Sequence, residues 1–167
     1  DKFAQEQGID LPELELDERA DWLKQQGLHE AFDAFQVAHW RERCRTLREA
    51  VDEIDPTFMF MISPAPGTKF MTEACYPEWA TEEAPLILAD ASTYGRAAIL
   101  PHKQALKANR EKLVERQKSA MKMGDNLLYT GGIDPVVKGA DPEFSGRNAG
   151  MIMQVTDGYW IFYEGPE

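Results

Sequence analysis

Four short runs of consecutive apolar residues punctuate the chain, and the stretches between them repeat apolar residues at helical spacing. The first run, Phe58-Met59-Phe60-Met61-Ile62, is stopped by Ser63-Pro64-Ala65-Pro66-Gly67 and reads as a strand buried on both faces. The second is Pro85-Leu86-Ile87-Leu88-Ala89-Asp90. The third is Asn126-Leu127-Leu128-Tyr129-Thr130, ending in Gly131-Gly132-Ile133-Asp134-Pro135. The fourth is Tyr159-Trp160-Ile161-Phe162-Tyr163, ending in Glu164-Gly165-Pro166-Glu167.

The remaining segments read mainly as helices. Residues 1–15 are acidic and contain Pro12, which predicts an irregular lead-in; Asp17 then caps a short helix through Gln26, with Gly27 beyond its end. Phe32, Phe35, Trp40, Cys44, Leu47, Val51 and Ile54 mark a long helix from about Glu30 to Ile54. A loop of about twenty residues carrying Met71, Glu73, Cys75, Tyr76 and Trp79 is expected after the first strand. Leu106, Leu113, Val114, Ala120 and Met121 predict a helix from Pro101 to Met123 that Gly124 ends. Asp141 and Pro142 supply an N-cap and first turn for a last helix reaching Gln154.

Helices alternating with short, fully apolar strands predict an α/β fold with a parallel sheet. The expectation is a single domain, a helical lead-in over 1–54 followed by four (β/α) units over 55–167, forming a parallel (β/α) half-barrel. Eight-stranded barrels take about 250 residues, so four strands are half of one. Open edges on a parallel sheet predict a partner, either the remainder of the barrel or a homo-oligomer. The first residue is Asp1, without Met or a leader, so a targeting segment is expected to be absent or removed, or the chain to be a piece of something longer.

Composition narrows the function classes. The 167 residues are 43% hydrophobic and 28% charged, with a mean hydropathy of -0.48 and no apolar run of membrane-spanning length. A net charge of -11 argues against nucleic-acid binding, which needs a basic surface. The basic helix 101–124 reads as a solvated outer face, since no aromatics interleave on it. Cys44 and Cys75 form no CxxC pattern and no disulfide framework. His29, His39 and His102 stand apart, so no metal or other cofactor is expected.

In a parallel (β/α) fold, chemistry gathers at the carboxyl ends of the strands. Those ends carry Ser63, Asp90 with Tyr94, Gly131-Gly132 with Asp134, and Glu164 with Glu167. Carboxylates clustered with aromatics suit a sugar: one carboxyl protonates the leaving oxygen, another attacks or activates water, and aromatic faces stack on rings. Glu164 shares strand parity with Trp160 and Phe162, against the alternative of a solvated rim residue. Asp134 is a second catalytic candidate, against a plain Asp-Pro turn. Asp90 is a third, against an Asx-turn to Ser92 or Thr93. Trp79, Tyr76 and Tyr94 are candidate sugar-stacking residues, the first two against a role in pinning their loop. Arg147 either pairs with nearby acids or reaches a ligand.

Two stretches add a family resemblance. Asn126-Leu127-Leu128-Tyr129-Thr130-Gly131-Gly132-Ile133-Asp134-Pro135 and Asp157-Gly158-Tyr159-Trp160-Ile161-Phe162-Tyr163-Glu164 resemble the C-terminal half of a glycoside-hydrolase-like TIM barrel, a resemblance covering about two thirds of the chain. It implies that these are the last four barrel strands, that Asp134 holds the nucleophile position, and that the acid/base lies outside this chain. The expected function is glycoside hydrolysis on an oligo- or polysaccharide. Two alternatives stand beside it: a non-catalytic sugar-binding half-barrel using Trp79, Tyr76 and Tyr94, and a phosphate-binding barrel enzyme whose Gly131-Gly132 and Glu164-Gly165 turns hold the phosphate.

Overall fold

The computed structural model describes residues 1–63, 69–93, 101–134 and 141–162, with the backbone only of 69–71. The elements run α1 (Lys2–Gln7), α2 (Arg19–Gln25), α3 (His29–Asp52), β1 (Met61–Ile62), α4 (Lys69–Trp79), β2 (Leu86–Asp90), α5 (His102–Ala120) with a 3-10 turn over Met121–Met123, β3 (Leu127–Ile133), α6 (Pro142–Ile152) and β4 (Gly158–Ile161). The four strands form one sheet in the order β1-β2-β3-β4, every pair parallel. The chain is therefore α/β, with strands and helices alternating and each strand beside its sequence neighbour.

Register divides the sheet into two faces. Ile62, Leu88 and Tyr129 are level with one another, and with Leu86, Leu127 and Ile133 they point to one side. There they bury a core with Cys44 of α3, Cys75 of α4, Leu113 of α5, and Met151 and Ile152 of α6. Crossovers of a single hand between adjacent parallel strands put all their helices on that side.

The other face carries Met61, Ile87, Leu128, Thr130 and Trp160. Met61 is 55% exposed, and Ile87, Leu128, Thr130 and Trp160 are only partly buried. The expected burial on both faces is thus corrected: the described helices form one layer. The first strand is also shorter than its apolar run, because only Met61 and Ile62 pair with β2, while Phe58 and Met59 stay exposed. At the far edge, Tyr159 and Ile161 of β4 face the helix side yet remain about half exposed.

Three other departures have local causes. The lead-in contains α1, because Phe3 packs its ring against Phe32 and Phe35 of α3, at centroid distances of 5.3 and 5.4 Å. The expected loop after β1 holds α4, which packs along α3 and buries Ala74 and Cys75; its Pro77 lies inside the helix near its end, where it removes the bond that an N–H would make to the Glu73 carbonyl. Finally, β3 continues through Gly131 and Gly132 instead of turning at them. A Cβ on Gly131 would lie 2.9 Å from Ile152, and one on Gly132 would lie 2.6 Å from the Trp160 ring. Close approach, not a turn, requires glycine at both positions.

Arg48 holds the α3–β1 connection. Its buried guanidinium donates to the carbonyls of Phe58 at 2.7 Å and Asp55 at 3.4 Å, pairs with Asp52 at 2.5 Å, and lies over the Phe60 ring.

Candidate functional site

Parallel strands of like direction bring Asp90 and Asp134 to one end of the sheet. Asp90 closes β2 level with Gly131, and Asp134 follows β3 three residues further along. Both are buried, Asp134 to 1% exposure. Leu86, Leu88 and Asp90 alternate toward the helices, whereas Asp134 lies one residue beyond the end of β3, after the helix-facing Ile133.

The Asp90 carboxylate is enclosed by donors. Oδ1 accepts the Ser92 N–H at 2.5 Å, which is the anticipated Asx-turn. Oδ2 accepts the Arg116 Nε–H at 2.5 Å and the hydroxyl of Tyr129 from the adjacent strand. Burial pushes the Asp90 pKa upward, but the hydrogen bonds from Ser92, Tyr129 and Arg116 outweigh it, so the carboxyl lies below its ordinary range. Burial, followed by the neighbouring carboxylate, pushes Tyr129 well above the usual phenol value. The hydrogen bond to Asp90 raises Arg116. At neutral pH the group is a carboxylate, a guanidinium and a neutral phenol, and Asp90 has no proton to give.

This trio lines a cleft of about 480 Å³ between β2 and the helices α4 and α5. Thr72, Glu73 and Ser119 add hydroxyls and a carboxylate, while Leu88 and Met123 give an apolar floor. Convergent polar groups over apolar walls are the ordinary makings of a small-molecule site.

Polar side chains fix the turn that follows β2. Thr93 Oγ1 donates to the Gly132 carbonyl at 3.0 Å, Asn148 Nδ2 to the Thr93 carbonyl at 3.3 Å, and Asn109 Nδ2 to Asn148 Oδ1 at 3.1 Å. The turn after β2 is thereby tied to β3, α5 and α6. Asp141 caps α6 by accepting the Phe144 N–H at 3.0 Å and meets His102 Nε2 at 2.8 Å, joining the starts of α5 and α6. The bond from Phe144, against some desolvation and with help from His102, holds Asp141 below its ordinary value. His102 therefore has a partner that the isolated-histidine reading did not supply.

The other expected residues lie elsewhere. Tyr76 and Trp79 are on α4, not in a loop, and at the amino ends of the strands. Tyr76 donates its hydroxyl to the Asp125 carbonyl, just before β3, at 3.0 Å. Trp79 donates Nε1 to the Cys44 carbonyl at 2.9 Å and stacks on Phe60 at 4.4 Å, just before β1. Neither shares a site with Asp90 or Asp134. Arg147 pairs with Glu143 at 2.6 Å on the exposed face of α6. Glu164 and Tyr94 lie outside the described residues.

Arg116, Tyr129, Glu73 and Thr93 were not singled out from the sequence. The signal for Tyr129 is a hydroxyl-bearing ring at the helix-facing parity of β3, level with Leu88 and beside Asp90. Asn148 and Ser145 leave a clearer trace, as polar residues on the buried face of α6 among Phe144, Met151 and Ile152. Among the described residues no three His, Cys, Asp or Glu side chains converge to hold a metal ion, and no helix is long and apolar enough to cross a membrane. No family model matches this chain, and neither does any curated protein or solved structure.

Proposed function

We propose that this chain is a carbohydrate-active protein that recognises a sugar at the carboxyl ends of its parallel strands. The observation that carries this reading is the Asp90–Arg116–Tyr129 trio at the end of β2, facing a cleft of about 480 Å³. The Arg116 guanidinium, held by Asp90 and partly exposed, offers donors to sugar hydroxyls, and Glu73, Thr72 and Ser119 extend that set.

In this proposal Asp90 positions Arg116 and does not transfer protons, since its hydrogen bonds keep it ionised. Glycosidic hydrolysis falls to Asp134 and Glu164, the carboxylates that follow β3 and the fourth apolar run in the sequence. We propose that the sheet face that the described helices leave open is covered by the remainder of a TIM-barrel-like fold or by a second copy. The phosphate-binding alternative loses its support at Gly131-Gly132, because packing against Ile152 and Trp160 accounts for both glycines.

Calorimetry of the full chain against a panel of neutral oligosaccharides, with release of reducing ends followed in parallel, tests the reading. Binding that Arg116→Met weakens at least tenfold, and turnover that Asp134→Asn and Glu164→Gln abolish without loss of fold, are the expected results. Absence of binding to every sugar, or equal affinity in Arg116→Met, removes the assignment.

A further inference from the structure

The chain's two cysteines are Cys44 and Cys75, 31 residues apart, on two helices that pack along each other. Their sulfurs stand 3.6 Å apart with a hydrogen bond between them, and both residues are buried thiols. Nothing in the site at the strand ends uses them.

A disulfide needs about 2.05 Å between sulfurs. The remaining gap of about 1.5 Å is within reach of small side-chain rotations on two helices already in contact. The pair is also reachable from outside. An apolar pocket of about 220 Å³, walled by Trp40, Leu47, Ile62 and Trp79, has both cysteines in its lining. Trp40 and Leu47 are each about half exposed, so the pocket opens at the surface. Arg43 stands at its wall with the guanidinium 5.6 Å from the Trp40 ring, a cation in reach of an anionic reagent.

We propose that Cys44 and Cys75 form an oxidisable dithiol that an anionic small-molecule disulfide converts into a cross-link between α3 and α4. One cysteine, as thiolate, attacks a sulfur of the small disulfide, forming a mixed disulfide and releasing one small thiol. The second cysteine gives up its proton and attacks the protein-bound sulfur, closing the Cys44–Cys75 bond and releasing the second small thiol. Two protein thiols are oxidised by two electrons, and one small disulfide is reduced to two thiols. Burial, the main cause in each case, raises the thiol pKa of Cys44 and carries that of Cys75 to about 12, which makes the reaction slow at neutral pH. The closed loop would enclose β1 and fasten the edge of the sheet to its helix layer.

The test is incubation of the reduced, folded chain with oxidised glutathione, followed by intact mass, a non-reducing peptide map and thermal melting. The expected product is monomeric, lighter by two hydrogens, gives one peptide linking Cys44 to Cys75, and melts higher by on the order of 5–10 °C. Cys44→Ser and Cys75→Ser should each retain a single glutathione in place of the cross-link. A wild-type product carrying two glutathiones, or a disulfide-linked dimer, overturns the proposal. So does a native chain left unchanged under conditions that cross-link the urea-unfolded chain.

Discussion

Arg116 Nε donates to Asp90 Oδ2 at 2.5 Å, so a single charge pair connects the body of α5 to the carboxyl end of β2. The Asp90 side chain is 2% exposed and that of Arg116 is 38%, so the carboxylate bears most of the desolvation. Removing the guanidinium leaves a buried anion with Ser92 and Tyr129 as its donors among the described residues. Arg116→Met should cost about 2 kcal/mol in urea denaturation, below the 3–5 typical of a fully buried pair because Arg116 is partly solvated. A cost below about 0.5 kcal/mol would mean that the pair does not hold the rim.

Acid should loosen the fold through Asp90 and Glu78. Glu78 takes Arg45 at 3.2 Å and Arg41 at 2.5 Å between α3 and α4, and the hydrogen bond from Arg45, against some desolvation, keeps its carboxyl below the ordinary value. Both groups are depressed in the folded chain, so their contribution is complete above the unfolded carboxylate pKa of about 4 and is lost as pH falls through the folded values. The melting temperature should drop steadily below about pH 4, and the drop should be shallower in Glu78→Gln and in Asp90→Asn.

Glycines in β3 and α6 should respond oppositely to alanine. A Cβ on Gly132 meets the Trp160 ring at 2.6 Å and the Asp90 carbonyl at 3.2 Å, whereas Gly146 and Gly150 have nothing within 4 Å. Gly132→Ala should destabilise by about 1–3 kcal/mol, while Gly146→Ala and Gly150→Ala should each stabilise by about 0.5–1 kcal/mol. Chemical denaturation of the three variants side by side checks the ordering.

Trp79 offers a control for the proposed sugar site. Trp79→Phe keeps an aromatic ring beside Phe60 but deletes the bond to the Cys44 carbonyl, which should cost about 1 kcal/mol. Its distance from the strand-end rim predicts unchanged affinity for any ligand held by Arg116; a tenfold loss by calorimetry would return Trp79 to the binding surface.

Local pattern revealed the elements whose causes are local. Asp141-Pro142 marks the start of α6, where Asp141 accepts the Phe144 N–H, and the apolar spacing of α3 locates it within two residues at either end. The parallel sheet follows from runs too apolar for an amphipathic hairpin. What escaped depends on distant partners. Gly131-Gly132 reads as a stop until Ile152 and Trp160 are seen against it, and Pro77 hides α4, which packing along α3 sustains in spite of it. For the same reason Asp90 was visible as a strand-end acid but Arg116, 26 residues on, was not its evident partner. Burial on both faces was overestimated because the apolar runs report what the sheet can bury, not how many layers the described residues supply.

The order β1-β2-β3-β4 bears on how the chain is made. Each strand finds its neighbour one helix earlier, so a nascent polypeptide can zip the sheet together unit by unit as it leaves the ribosome, without waiting for its last residues. Every intermediate of that growth has one ready edge for the next strand to join, and the same edge is exposed to strangers if synthesis stalls.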